Sequence, residues 1–430
     1  MPRFSLLKLW QFLLGTAIVG VLCILPGRAE RLPIKTYTVA DGLLRDSADC
    51  IRQDSRGFLW FCTVEGVSRF DGYAFTNFTT DDGLPDRHIN SLLEARNGSI
   101  LIATDNGIAK LNPIGTNRSS FQNPKSKIQN QDNPLFTVFQ PNDPKAKNIR
   151  VLFEDTDGHV WVGTTDGLYR LNGKDGQIEF AAVFLGESQI SNNLLYITAI
   201  TQDERGNLWI GTGGSGLFRL SPPGDAEHFT KKNGLPDLYV ASLLTDRAGR
   251  VWVGLSGTGG LALLRSEPDT NSSIVERALT IKDGLPTGWI PSLFQASNGQ
   301  MWVGTTGGLC KWQGENKADS VCEVYQAKND LCDTEIWSIN EDKDNNLWFG
   351  TRCGTKKLSR YGFTSFTQTD GFNFLSVNSI FENSAGEFFI SSNYFGGRRV
   401  SRFDDDKFVT AKPRLPANVK YMGWGWKQTI

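Results

Sequence analysis

Short stretches in which apolar and polar residues alternate recur along the chain, separated by turn residues. The plainest copies read EDTDGHVWVGTTDGLYRL at 154–171 and QDERGNLWIGTGGSGLFRL at 202–220. They are rich in Gly, Trp, Val and Thr and lack the apolar period of a helix, so they predict antiparallel strands. Eight copies align on a central apolar anchor, at Trp60, Leu101, Trp161, Trp209, Trp252, Trp302, Trp348 and Phe389.

The anchors are spaced by about 41 to 60 residues, which is typical of the four-stranded blade of a β-propeller. In the copy around Trp209 we predict strands at 197–201, 207–212 and 216–220, and a fourth near 228–230. A glycine or asparagine recurs in the turn between the first two strands, as expected where the backbone needs a positive φ. The predicted fold class is therefore all-β.

Two columns of the alignment describe the innermost strand of each blade. Residues nine before the anchor are large and apolar, and most residues ten before it are small. Strands that crowd around a ring axis explain this, because one face must stay small while the other fills the space between blades. DGLP-like stretches, as at 82–85 and 283–286, predict the turn from an outer strand to the next blade. The strand-like segment 35–40 has no inner strands of its own, so we predict that it completes the last blade and closes the ring.

Charge and composition exclude some functions. The 430 residues include 45 basic and 46 acidic side chains and no basic run, so a nucleic-acid partner is not expected. Neither a cofactor nor a metal is expected. The sequence DTDG at 155–158 lacks the later ligands of a calcium loop, and the glycine-rich stretch 211–216 leads into a strand instead of a helix.

The first 29 residues predict an export signal. Arg3 and Lys8 precede an apolar run at 10–25, and a small-residue site ends at Ala29. This pattern is typical of a signal peptide cleaved after Ala29, and it predicts a periplasmic or secreted protein. An uncleaved anchor is the alternative, although the run is short for a bilayer span. Contact with a membrane is expected only through this segment.

An even number of cysteines remains after the signal, which suits an oxidising compartment. Each neighbouring pair straddles a predicted hairpin turn, so three local disulfides are one interpretation and free thiols are the other. The candidates are Cys50, Cys62, Cys310, Cys322, Cys332 and Cys353.

One column varies in residue type where its neighbours do not, and it lies thirteen residues before each anchor. On a propeller these positions surround one mouth of the central channel, on the same side as the loops at 164–166 and 305–307. Aromatic rings mixed with hydrogen-bonding groups suit a carbohydrate or another polar organic ligand, and a solvated rim without a ligand is the alternative. The candidate ligand-binding residues are Ser47, His88, Asn148, Tyr196, Tyr239, Trp289 and Glu335.

One copy of the repeat reads GLPDRHINSLLEARNGSILIATDNGIAKL, and similar copies surround Trp161, Trp209 and Trp302. These copies resemble the two-component regulator propeller repeat found in the periplasmic sensor regions of hybrid histidine kinases. The resemblance covers almost all of 37–403. It implies seven-bladed propellers, often two in tandem, that sense ligands upstream of a membrane span and a kinase, and dimerisation through those downstream domains. The chain departs from this pattern because it contains no kinase motif, so we expect a sensor truncated before the kinase, with no catalytic residues.

The predicted organisation is a seven-bladed propeller over 32–362, with a loop excursion at 113–147, followed by an incomplete second propeller at 363–430. A single eight-bladed ring is the alternative. The functional hypotheses are a sensor that binds an extracellular small molecule or glycan, and a propeller enzyme, a lyase or glycoside-active protein. The enzyme would use acid/base groups such as His88 and Glu335 at the channel mouth.

Overall fold

The computed structural model describes residues 33–112, 134–174, 177–186, 195–222, 224–266, 273–314, 320–326, 334–360, 376–383, 387–394, 397–404 and 407–411. The predicted signal peptide therefore lies outside the described residues. The chain divides into two compact units, of which the larger spans Leu32–Phe363. Eight four-stranded antiparallel sheets are described, seven in the larger unit and one in the other.

Each of the first six sheets is a meander in which consecutive strands pair. The seventh sheet is built from three consecutive strands and β1 (Ile34–Tyr37). From the innermost strand outwards, the strands of the seven sheets are β2 Cys50–Gln53, β3 Leu59–Thr63, β4 Gly66–Phe70, β5 Phe75–Phe78; β6 Ile89–Glu94, β7 Ile100–Thr104, β8 Gly107–Leu111, β9 Phe136–Phe139; β10 Ile149–Glu154, β11 Val160–Thr164, β12 Gly167–Lys174, β13 Gln177–Val183; β14 Ile197–Gln202, β15 Leu208–Thr212, β16 Leu217–Leu220, β17 Ala226–Phe229; β18 Val240–Thr245, β19 Val251–Leu255, β20 Leu261–Leu264, β21 Val275–Leu279; β22 Ser292–Gln295, β23 Met301–Thr305, β24 Gly308–Trp312, β25 Cys322–Tyr325; β26 Ser338–Glu341, β27 Leu347–Thr351, β28 Gly354–Leu358 and β1.

The innermost strands of the seven sheets follow one another in a closed ring. Each innermost strand contacts the next around the ring, and β26 contacts β2. Strand β1 pairs antiparallel with β28, where Tyr37 lies opposite Thr355, so the N-terminal segment completes the last blade. The ring of Tyr37 stacks on Trp348 with centroids 5.1 Å apart. This closure removes the free edge that β28 would otherwise expose.

The small column of the innermost strands also joins neighbouring blades. The hydroxyls of Ser242, Ser292 and Ser338 each donate a hydrogen bond to a backbone carbonyl of the next blade, at 2.8 to 3.1 Å. The adjacent second strands approach closely at glycine: a Cβ on Gly254 would lie 2.2 Å from the Ser242 hydroxyl and 2.6 Å from the carbonyl oxygen of Ile290. The glycine of the repeated WxG motif is therefore required by crowding near the axis.

An aspartate organises the turn between the first two strands in five of the seven blades, and it is buried in all of them except the fourth, where Asp203 is half-buried. In each of these blades, one carboxylate oxygen accepts the indole N–H of the anchor tryptophan at 2.7 to 3.0 Å, and the other accepts a backbone N–H of the turn. The anchors are Trp60, Trp161, Trp209, Trp252 and Trp348. The turn is thereby fastened to the core beneath it. Blades two and six have Ala95 and Ala296 at this position.

The DGLP-like junctions are 3-10 turns with a recurring cap. In the turn Ile281–Asp283, the Thr280 side chain accepts from Lys282 N–H, the Asp283 carboxylate accepts from Thr280 N–H, and Gly284 follows with φ of 100°. The same arrangement occurs at Val39–Asp41, Thr80–Asp82 and Lys231–Asn233. The leucine after the glycine is buried, as Leu285 shows, so each junction directs the chain back into the core.

The excursion expected at 113–147 is shorter in the structure. Strand β9 (Phe136–Phe139) is the outermost strand of the second sheet and pairs with β8, and a 3-10 turn covers Pro144–Lys147. The expectation of a loop over the whole of 113–147 was wrong at this strand, because four residues within a polar stretch give little strand signal. Residues 113–133 lie outside the described part of the chain.

Two disulfides join neighbouring strands, Cys50 to Cys62 and Cys310 to Cys322. Cys353 is also disulfide-bonded, and Cys332 lies outside the described residues. These cross-strand links fasten the first and sixth blades within themselves.

The described part of the second unit is a single sheet. Its strands are β29 Ser376–Glu382, β30 Phe388–Tyr394, β31 Gly397–Asp404 and β32 Lys407–Ala411, paired in that order. Every residue of β29 is exposed, and the side chain of Ile380 is 66% exposed. The sheet has the strand order of a blade, and its assignment to a second propeller stays a prediction.

Candidate functional site

An open cavity of about 460 Å³ lies where the seven innermost strands begin, at one end of the ring axis. All seven blades contribute to its lining, as a propeller channel requires. The lining residues are Ser47, Asp49, Val64, His88, Asn90, Arg150, Tyr196, Thr198, Tyr239, Ala241, Trp289, Pro291, Trp337 and Arg352.

Five of the seven predicted rim residues line this cavity: Ser47, His88, Tyr196, Tyr239 and Trp289. The other two do not. The Glu335 carboxylate pairs with the guanidinium of Arg352 at 2.5 Å, and it is Arg352 that reaches the lining. Asn148 follows the 3-10 turn of the third blade, and its carbonyl accepts the N–H of Thr165 at 3.1 Å.

Seven further lining residues form a second column, two positions after the rim column in every blade. They are Asp49, Asn90, Arg150, Thr198, Ala241, Pro291 and Trp337. In blades two to five this position is a β-bulge, since the register shifts across it, for example between Ile149 and Val151. A bulge leaves one residue outside the ladder and redirects its side chain. The buried residues before it, such as Ile89 and Ile149, can then stay in the core while the bulged residue faces the channel.

One side of the cavity, contributed by blades one to three, is ionic. The imidazole of His88 lies between two carboxylates, with Nδ1 at 3.1 Å from Asp105 Oδ2 and Nε2 at 3.7 Å from Asp49 Oδ2. The contact with Asp49 and the charges of Asp105 and Asp49 raise the pKa of His88, although burial and the charge of Arg150 oppose the shift. The imidazolium form is therefore favoured relative to a free histidine. We name Asp49, His88, Asn90, Asp105 and Arg150 the ionic cluster.

The opposite side, from blades four to seven, is aromatic and is formed by Tyr196, Tyr239, Trp289 and Trp337; we name these four residues the aromatic arc. The rings of Trp289 and Trp337 meet edge to face with centroids 5.7 Å apart. Burial and the neighbouring Tyr196 raise the pKa of Tyr239, so its hydroxyl stays protonated at neutral pH. Small lining residues, Ala241 and Pro291, lie two positions after Tyr239 and Trp289, which leaves room beside these rings.

Metal binding has one geometric candidate among the described residues. Asp155, Asp157 and His159 can bring one ligand atom each within 4.8 Å of the others. The Asp155 carboxylate already accepts from the Trp161 indole and the His159 backbone, at 2.8 Å each. This aspartate belongs to the repeated turn, and nothing further indicates a metal.

Four segments match the sequence profile of the family described as two component regulator propeller, at 144–166, 191–214, 284–307 and 330–352. A stretch of 74 residues is 34% identical to histidine kinase P4 of Formosa agariphila, and it covers 17% of this chain and 5% of that protein.

Solved structures share the fold. The extracellular domain of a B. thetaiotaomicron protein described as a hybrid two-component system is 21% identical, with a TM-score of 0.60 over 88% of this chain and 49% of that one. This chain thus spans about half the length of that domain. Virginiamycin B lyase from Staphylococcus aureus is 13% identical, with a TM-score of 0.55 over 76% of this chain and 98% of the lyase. At these identities the likeness establishes the fold alone.

The ring and its axial cavity define a β-propeller. Four of its repeats match the family described as two component regulator propeller, over the segments given above. In the part of the chain that the structure describes, no helix has the length and apolar character needed to cross a membrane.

Proposed function

We propose that the ring is the ligand-sensing part of an extracellular two-component system and that the axial cavity binds a small organic molecule or a glycan. The observation that carries this proposal is the division of the cavity into an aromatic arc and an ionic cluster. Rings offer stacking surfaces to the apolar face of a sugar or a similar ring, and the opposite groups orient its polar edge. Matches to a histidine kinase and to an extracellular domain of a two-component system support the sensing role.

Export through the predicted signal peptide fits this role, because a sensor must meet its ligand outside the cytoplasm. Cross-strand disulfides within the first and sixth blades favour the same compartment, since such bonds persist in oxidising surroundings.

The test is a thermal-shift and calorimetric screen of the full chain against oligosaccharides, repeated with Trp289→Ala and Tyr239→Ala. Each substitution removes one ring of the aromatic arc, and we expect binding about 10- to 30-fold weaker. Tyr73→Ala is the matched control, because Tyr73 is 96% exposed and does not line the cavity. A ligand that stabilises both arc variants as strongly as the parent would show that the site is elsewhere.

A lyase or a glycoside-active enzyme is the second candidate. The observation that favours it is the position of His88 between two carboxylates, which suits proton transfer. His88 and Glu335 have less support as an acid/base pair, because Glu335 is paired with Arg352 outside the lining. Incubating the protein with the ligand from the screen separates the two functions: unchanged ligand after many hours supports a sensor, and product formation supports an enzyme.

A further inference from the structure

Arg150 lies where the ionic cluster meets the aromatic arc. Its guanidinium is centred 5.5 Å from the ring of Tyr196, and its Nη1 donates to Asn90 Oδ1 at 2.7 Å. The β-bulge between Ile149 and Val151 places this side chain in the cavity lining. Arg150 can therefore contact both the polar edge and the flat face of a bound molecule.

The orientation of Arg150 is fixed by a chain of hydrogen bonds. The amide nitrogen of Asn90 donates to Asp105 Oδ1 at 2.7 Å and to the carbonyl of Ile149 at 2.9 Å, which leaves the amide oxygen directed at Arg150. Asp105 also faces the Nδ1 of His88 at 3.1 Å. Asn90 thus acts as a positioning residue for the guanidinium.

Most donors of Arg150 are not used within the described protein. A guanidinium carries five N–H groups, and the described residues accept one hydrogen bond from it, through Nη1. The closest carboxylate oxygen, on Asp105, is 3.8 Å from Nη1, beyond hydrogen-bond range. The Arg150 side chain is 29% exposed, so the remaining donors can be reached from the cavity.

The surrounding charges do not exclude an anion. Asp105 and Asp49 both face His88, whose raised pKa favours the positive form. Across the cavity, Glu335 is paired with Arg352. Asp49 and Asp105 thus share the charges of His88 and Arg150, which are two cations against two carboxylates. The planar fork of Arg150 matches the geometry of an oxyanion.

We propose that Arg150 binds an oxyanion, a carboxylate or a sulfate, carried by a ring-shaped ligand whose face lies against the aromatic arc. The inference rests on the proposed function, because it names the ligand chemistry of the same cavity. An acidic sugar residue combines the two features that the site requires, an apolar ring face and a planar or tetrahedral anion at its edge.

The test is isothermal titration calorimetry of the full chain with four probes: an oligogalacturonate, its methyl ester, a sulfated carrageenan oligosaccharide and a neutral galactan oligosaccharide. We expect at least one acidic probe to bind about 10- to 100-fold more tightly than the ester and the neutral probe, the range of a charged hydrogen-bonded pair. The two acidic probes distinguish carboxylate from sulfate.

Arg150→Gln is expected to remove the preference for the acidic probe and to leave the weaker binding of the ester unchanged. Arg150→Lys retains the charge without the planar fork, so it should keep only part of that preference. Asn90→Ala should lower the ratio of acid to ester affinity by a smaller factor. Arg87→Gln is the matched control: it removes the same charge from a side chain that is 69% exposed and outside the lining, and it should keep the ratio. Circular dichroism of each variant confirms folding.

Equal binding of acidic and neutral probes by the parent would overturn the role of Arg150 and leave the sensing cavity intact. The same holds if Arg150→Gln retains the preference. Failure of all four probes to bind would contradict both the inference and the proposed glycan site.

Discussion

The seven-sheet ring and the lone sheet β29–β32 are built from the same repeat, yet their equivalent side chains have opposite surroundings. Ile51, nine residues before its anchor in the first blade, is 0% exposed, whereas Ile380, at the same place in the eighth copy, is 66% exposed. The strand pairing of the lone sheet is complete. Sequence that is sufficient to form a blade is therefore not sufficient to bury it.

The difference shows that a propeller blade obtains its core from its neighbours. In the ring both faces of every sheet are covered, and the buried clusters run from one blade to the next, as where Trp348 of the last blade joins Phe61 of the first. The lone sheet also lacks the aspartate–tryptophan pair, since its turn has Asn383 and its anchor is Phe389.

The largest expected effect tests burial directly. Ile51→Ala removes a fully buried side chain from the ring and should lower the free energy of unfolding by about 2 to 5 kcal/mol. Ile380→Ala makes the same change at the equivalent place and should cost about 0.5 kcal/mol or less. Urea unfolding followed by far-UV circular dichroism measures both.

The result for Ile380→Ala decides whether the two sheets differ in solution. If Ile380→Ala destabilises the protein as much as Ile51→Ala, the face of the lone sheet is covered in solution. Equal and small effects would instead mean that the ring core near Ile51 is loosely packed.

The second prediction concerns the buried turn aspartates. Asp246 accepts from the Trp252 indole at 2.9 Å and from Arg250 through its backbone and side chain. Burial raises the pKa of Asp246, but hydrogen bonds from Trp252 and Arg250 outweigh it and hold the pKa below its ordinary value. Asp246→Asn converts this turn to the type in the lone sheet and should cost about 1 to 3 kcal/mol at pH 7.

The pH dependence of that loss has a definite direction. A carboxyl whose pKa is depressed in the folded state contributes stability above its unfolded pKa of about 3.9, and this contribution is lost as pH falls through the lower folded value. The parent and Asp246→Asn should therefore differ fully above about pH 5 and converge in acid. Asp225→Asn, at an exposed residue, controls for the loss of a carboxylate as such. A gap for Asp246→Asn that stays constant with pH would rule out the charge as its cause.

Much of the ring could be predicted from the sequence because its determinants are local or periodic. The turn glycines, the alternating columns and the outer-strand character of residues near Tyr37 each follow from the repeat, and β1 pairs with β28 as the closure requires. Strand β9 was missed because a short alternation in a polar stretch gives little signal.

The cavity lining could be predicted only in part. The rim column was visible as variation between copies. In blades two to five the second column lies on a β-bulge, which a strict alternation of faces does not predict. Its signal was nevertheless available, since Asp49, Asn90, Arg150 and Trp337 form an equally variable column two residues further on. Glu335 is paired with Arg352 outside the lining. This contact joins two separate segments of the chain, so it could not be predicted from the column.

The last prediction, with the smallest change in stability, concerns a substitution that adds the aspartate–tryptophan pair to a blade that lacks it. Blade six has the anchor Trp302 but Ala296 at the aspartate position, so it lacks the repeated bond between aspartate and indole. Ala296→Asp should supply that acceptor and stabilise the ring by about 1 kcal/mol or less, which differential scanning calorimetry would detect as a rise of about 1 to 3 °C. The matched control is Ala95→Asp, because blade two has Leu101 in place of the tryptophan and offers no indole donor, so burying a carboxylate there should destabilise. If both substitutions lower the melting temperature equally, the indole bond does not explain the recurrence of aspartate in the ring or its absence from the lone sheet.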